Sequence, residues 1–229
     1  MPGLMITDVA ALAWFVLCAG GYGLTTRYGM LANGGLVRAI NEQRKLWMAN
    51  MAARDNRVVD VQVVANLARG NAFFASTAVF VTGALAALFG AVEEIQALAT
   101  KFPFLRQTTV FMWQLKILFL MSVFILAFFK FAWAFRLSHY TAILIGATPI
   151  ATSRNKKQCL AHAENAAHVA GIVGHHSNAG LRYYYFGIAA LGWFIHPLVF
   201  MFTTLWVVGV LYRREYHSRT FRIISDKSA

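Results

Sequence analysis

Residues 183–212 read YYYFGIAALGWFIHPLVFMFTTLWVVGVLY. Across these thirty positions there is no Asp, Glu, Lys or Arg, and the only titratable group besides the tyrosines is His196. At a helical rise such a run covers ~45 Å, more than the hydrocarbon thickness of a bilayer. Tyr183, Tyr184, Tyr185 and Trp206 lie towards its ends, and Arg182, Arg213 and Arg214 close it off. That is the arrangement expected where amphipathic rings meet headgroups. We read 183–212 as a membrane-spanning helix. His196-Pro197 falls near its middle, where a proline kinks a helix and frees a carbonyl that a neighbour must satisfy. Either a packed kink or a polar position at the midplane fits.

The rest of the composition agrees with a membrane chain. Of 229 residues 59% are hydrophobic and only 13% charged. Lys and Arg number 21 against 9 Asp and Glu, a formal charge of +12. On a membrane protein such an excess marks cytoplasmic segments near anionic lipid. The basic residues are scattered and no nucleic-acid motif accompanies them, so no nucleic-acid partner is expected. Cys18 lies in an apolar run and Cys159 in a polar one, with no Cys-x-x-Cys spacing to suggest a disulfide or redox site. Met1–Asp8 lacks a basic signal region, so the first apolar helix is expected to be retained.

Three further spans precede the quoted stretch, at about 6–31, 71–92 and 109–135. In the first, Asp8 is a candidate cap and Arg27 marks the exit, with a Gly20-Gly21-Tyr22-Gly23 cluster suited to close helix packing or to a flexible point. In the second, Gly83 with Ala87 and Ala86 with Gly90 repeat small residues four apart, which also favours helix contact. The third is rich in Phe and carries Lys116 roughly 15 Å inside it. A charge there either snorkels to the interface or faces a polar interior. Lys130 and Arg136 look like anchors, and Gly146-Ala147-Thr148-Pro149 ends the helix.

Two polar helical segments lie between these spans, at about 35–69 and 153–176. After the turn signal Asn33-Gly34-Gly35, Leu36, Ile40, Trp47 and Met51 recur at helical spacing among Arg38, Arg44 and Lys45. This is a basic amphipathic helix, either lying on the membrane with Arg38, Arg44 and Lys45 towards lipid, or packing against another subunit. Arg54-Asp55-Asn56-Arg57 with Asp60 forms either a local salt-bridge network or a ligand or ion gate. In the second segment His162, Glu164, His168, His175 and His176 sit at irregular spacing without a HExxH-like pattern. We expect no metal, no cofactor and no catalytic residues.

The fold expected is all-α: a single helical membrane domain over 1–229, with about four transmembrane helices plus the two cytoplasmic or interfacial segments. Charge bias sets the orientation. The first polar segment carries seven Lys and Arg and the third six, whereas the loop around Pro103 has only Lys101 and Arg106. The N-terminus is therefore expected outside, in the periplasm, with both large helical segments in the cytoplasm. Four spans then leave the basic tail (Arg213, Arg214, Arg219, Arg222, Lys227) outside, against that bias. A hairpin at Pro197 would return the tail, but arms of ~15 residues are too short to span.

One ordered set of residues resembles a known family. It comprises Trp47-Met48, Arg54-Asp55-Asn56-Arg57 with Asp60, and Ala72-Phe73-Phe74-Ala75-Ser76-Thr77. It continues with Ala127-Phe128-Phe129-Lys130-Phe131-Ala132-Trp133 and Ile145-Gly146-Ala147-Thr148-Pro149. It ends with Asn178-Ala179-Gly180-Leu181-Arg182-Tyr183-Tyr184-Tyr185-Phe186 and Val210-Leu211-Tyr212-Arg213-Arg214-Glu215. In this order the chain, from about Trp14 to Ser218, resembles the bacterial and plant membrane proteins grouped as the domain of unknown function 599 family. The resemblance implies a multi-pass protein, here of the bacterial inner (cytoplasmic) membrane. It implies no activity and no site residues.

Three functions compete on this reading. A homo-oligomeric channel or transport protein for a small anion or polar solute would use Lys116 and His196 at membrane depth, with Arg57, Asp60 and Arg182 as further functional polar residues. A non-catalytic accessory or structural subunit would bind membrane lipids or a larger membrane complex. An enzyme built on the histidine-bearing helix lacks a complete constellation and is the least supported.

Overall fold

The computed structural model describes residues 6–28, 34–101 and 108–225. Asn33, Pro103, Arg106 and Lys227, and the side chain of Arg27, lie outside the described residues. All regular structure among those described is helical: α1 (Ile6–Tyr28), α2 (Gly35–Ala52), α3 (Val58–Gly90), α4 (Val92–Ala99), α5 (Val110–Ala147), α6 (Lys156–Ala190), α7 (Gly192–Ile195), α8 (Pro197–Tyr216) and α9 (Arg219–Ser225).

Among the described residues three helices are long and apolar enough to cross a membrane: α1 over Ile6–Thr26, α3 and α5. At ~1.5 Å per residue α3 extends ~50 Å and α5 ~57 Å, beyond the ~30 Å of a hydrocarbon core. Each therefore carries its membrane segment and a polar extension as one rod. The periodicity gives no stop between them, since no Pro or cap interrupts 58–90 or 110–147. The segment expected over 35–69 is instead cut at 53–57, where Asn56 Oδ1 accepts from Val58 N at 3.0 Å and starts α3.

The apolar stretch 183–212 is the main departure. It is not one helix. The polar segment 156–176 and the first third of the stretch form a single helix, α6, which ends at Ala190. The chain turns through α7, and Pro197 occupies the first turn of α8, where its missing N–H costs nothing. The proline thus starts a helix rather than kinking one. α8 runs back along α6: Thr203 Oγ1 donates to Ala189 O at 2.8 Å, and Arg214 donates to Tyr185 Oη at 3.1 Å. The arms exceed the ~15 residues expected because α6 draws on the polar segment and α8 continues through the two arginines to Tyr216.

α5 lies between α3 and α6, and α6 carries glycines at the seam. A Cβ at Gly180 would come within 2.6 Å of Phe131 Cε2, and one at Gly187 within 2.9 Å of Phe124 Cε2. The small-residue faces marked in the sequence, at Gly20, Gly21, Gly23, Gly83 and Gly90, have open space where a Cβ would stand. Close packing in a membrane depends on such small residues, and in this chain α6 supplies them.

Two cores result. At one end Trp193, Phe200 and Phe15 stack with centroids 5.2 and 5.3 Å apart, and Phe119 meets them edge-on. At the other, Met48 and Met51 of α2 pack with Val64, Ile145, Cys159, Ala163 and Ala166. Part of the apolar face of α2, at Met48, Met51 and Ala52, is thus covered by its own chain, while Leu36 and Ile40 stay half-buried. Outside these cores, Phe80, Phe129, Phe202 and Trp206 are each more than 60% exposed, as on a surface solvated by acyl chains.

Candidate functional site

Three polar constellations stand out. The first is at the end where α1, α5 and α8 begin. Lys116 is buried and donates to the carbonyl of Trp193 at 2.8 Å, with its ammonium 5.6 Å from the indole centroid. The Trp193 indole N–H donates to buried Asp8 at 2.9 Å. An acid and a cation therefore meet at one residue of the turn between α6 and α8. Desolvating a charge is costly, and hydrogen bonds with neighbouring opposite charge offset it. Lys116 is thus held inside the chain rather than snorkelling to the interface. His196 lies half-exposed in the turn, where its Nδ1 accepts from Leu198 N at 3.2 Å and caps α8.

The second is the junction at 53–60. Asp60 is buried and pairs with Arg54 at 3.0 Å, while the Trp47 indole donates to the same oxygen at 2.7 Å. Arg57 turns away from Asp60 to the end of α5. It donates to the carbonyls of Ile145 (3.2 Å), Thr148 and Pro149 (2.9 Å). α5 ends at Ala147, so these carbonyls lie in and just beyond its last turn, where a guanidinium suits the negative end of the dipole. The geometry is that of a structural clamp rather than a gate.

The third is a cleft of about 440 Å³ at the same end as the second core. It forms where α1 finishes, α2 begins and α8 returns beside α6. Gly35 makes the approach possible. Its φ is +85°, which favours glycine, and a Cβ there would lie 2.8 Å from the Tyr216 ring. Val37 N then donates to Glu215 at 2.9 Å, tying the end of α8 to the first turn of α2. Arg38 and Lys45 of α2, Arg182 of α6 and Arg214 of α8 line the cleft, as do His168, His175, Glu42 and Glu215. Lys45 pairs with Glu42 at 3.0 Å. Arg182 donates to Thr26 Oγ1 at 2.8 Å and sits 6.0 Å from the Tyr22 ring centroid. Arg214 sits over the Tyr185 ring, 5.3 Å from its centroid.

Of the basic residues placed towards lipid by the sequence, Arg38 and Lys45 thus line this cleft. Arg44 points inward to α6. It donates to Asn41 at 2.6 Å, and Gly174 leaves the room its guanidinium occupies, since a Cβ there would be 2.5 Å from Nη2. Burial lowers its pKa from the usual arginine value. Among the described residues no group of three His, Cys, Asp or Glu could hold a metal ion.

Sequence reasoning named Arg182, Arg38 and Lys45 separately but missed that they converge with Arg214 and Glu215. The convergence depends on the hairpin, which 183–212 read as one helix conceals. Asp8 and Trp193 were also missed as partners, though an isolated acid in an apolar run is itself a signal.

A family model described as Protein of unknown function, DUF599, matches residues 10–220. No curated protein and no solved structure matches the chain.

Proposed function

The chain belongs to the DUF599 family, and from that membership and the geometry above we propose that it is a non-catalytic integral membrane protein that binds an anionic ligand in the cleft lined by Arg38, Lys45, Arg182 and Arg214. The observation that carries the reading is the contrast between two sets of cations. Lys116 and Arg57, suited by position to a conduction path, are held on backbone carbonyls within the chain. The cleft cations come from three helices and surround open volume.

Charge bias supports the side on which the cleft works. With α6 and α8 as paired crossings, α1, α3, α5 and the hairpin make five passes. The tail arginines then join the two basic segments on one face. The opposite face keeps the sparsely charged loop that follows α4. On this reading the N-terminus is periplasmic, the cleft is cytoplasmic, and the earlier conflict over the tail disappears.

The test is binding by the full chain in detergent. Anionic lipids should be retained in native mass spectra over phosphatidylcholine, with retention lost in Arg182→Gln/Arg214→Gln. Equal retention of all lipids by both proteins would end the reading. Transport by an assembly of copies is the second reading, favoured by the uncovered glycine faces of α1 and α3. It requires solute flux in proteoliposomes from a stable oligomer.

A further inference from the structure

We infer that the anionic group taken by the cleft is a phosphomonoester, gripped between Arg182 and Arg214; this rests on the binding role just proposed and specifies its ligand. The two guanidiniums come from the two arms of the hairpin and line the same cleft. Each has a neutral hydrogen-bond partner, Thr26 for Arg182 and Tyr185 for Arg214. Among the described residues, neither has a carboxylate within ion-pair distance. The carboxylates of the cleft are engaged elsewhere, Glu42 with Lys45 and Glu215 with Val37 N. A guanidinium has five N–H donors in a planar fork, so one hydroxyl leaves donors to spare. That fork matches the oxygens of a phosphate, and ring faces at Tyr22 and Tyr185 hold the planes in place.

Charge selects the ester. Four Lys and Arg against two Glu leave the lining with a surplus of two positive charges before its histidines are considered. A phosphomonoester carries about −1.5 to −2 at neutral pH, whereas a diester carries about −1. The volume of about 440 Å³ suits a headgroup or a small soluble monoester, within the usual range for ligand sites. Ile172 of α6 lines the cleft and is exposed. An acyl chain attached to the phosphate would have apolar surface to follow. Phosphatidate and a soluble phosphomonoester share the recognised chemistry and differ in that attachment.

The experiment uses the purified full chain in micelles, with native mass spectrometry and thermal unfolding read in parallel. The probes are phosphatidate, phosphatidylglycerol, phosphatidylcholine, glycerol 3-phosphate and inorganic phosphate. We expect phosphatidate to bind about tenfold more tightly than phosphatidylglycerol, roughly one logarithmic step in Kd. Arg182→Gln/Arg214→Gln should erase that preference, and Arg136→Gln, on the exposed face of α5, should keep it. Arg182→Lys retains the charge but not the fork, and should lose most of the preference while folding normally, which guards against an unfolded double variant. Protection by glycerol 3-phosphate equal to that by phosphatidate would uphold the monoester and assign a soluble source. Phosphatidylglycerol binding as tightly as phosphatidate, both weakened by the arginine changes, would overturn the monoester while leaving anion binding intact. Indifference of every variant to every anionic probe would overturn both.

Discussion

Lys116 of α5 and Trp193 of α7 are joined by a hydrogen bond of 2.8 Å from the ammonium to the backbone carbonyl, seventy-seven residues apart in sequence. The bond fastens the start of a membrane helix to the tip of the hairpin, and Asp8 reaches the same tryptophan from α1. Lys116→Met keeps the stem and removes the donor. It should lower stability by about 1–3 kcal/mol, the cost of leaving buried polar groups without partners. Phosphatidate binding should stay unchanged, since the cleft is at the other end. Denaturant unfolding in mixed micelles measures the first quantity and native mass spectrometry the second. Unaltered stability with altered ion flux would instead restore Lys116 as a conduction residue.

Arg57 closes the end of α5 with bonds to three carbonyls. Arg57→Ala should destabilise the protein by about 2–3 kcal/mol, because charge-assisted bonds are among the stronger ones. Arg57→Lys should recover only part of this, since an ammonium cannot span carbonyls as a fork does. Hydrogen exchange should show the loss in the last turns of α5 before any change near Trp193.

Glycines at contacting and open positions should respond in opposite senses. Gly180→Ala forces a methyl group against Phe131 and should cost about 1–3 kcal/mol. Gly83→Ala meets nothing within 4 Å in the chain and should be neutral or stabilise α3 by up to about 1 kcal/mol. A large loss at Gly83, visible together with dissociation of an oligomer, would show that α3 packs against another copy.

The five crossings proposed for the chain predict which sites label from each side. In a background with Cys18→Ala and Cys159→Ala, Glu94→Cys should react with an impermeant maleimide in intact spheroplasts. Ser225→Cys should react only after permeabilisation. Labelling of both from outside would return the chain to four crossings.

The sequence was most readable where one signal governed one element. Long apolar runs identified α1, α3 and α5 as apolar helices, and the match over residues 10–220 agrees with the family suggested by the ordered motifs. The stop at Gly146–Pro149 was legible because proline and glycine end helices locally. The hairpin was not. An apolar run looks the same whether it crosses once or turns, and Gly192, His196 and Pro197 are also compatible with a kink. Arg57 and Asp60 are three residues apart and looked like partners. The backbone break at 53–57 sends one to α5 and leaves the other to Arg54. The cleft was invisible for the same reason: its residues are scattered from Tyr22 to Tyr216, and no local spacing announces a site assembled by a turn.

The order in which the ribosome delivers these elements gives the hairpin a further meaning. Phe200, stacked between Phe15 and Trp193, is on α8 and is made after both of them. The same helix brings Arg214 to Arg182 and Glu215 to the start of α2. Until α8 is made, the aromatic stack has one ring missing and the cleft lacks Arg214. The arrival of α8 therefore closes the aromatic packing at one end and the cleft at the other together.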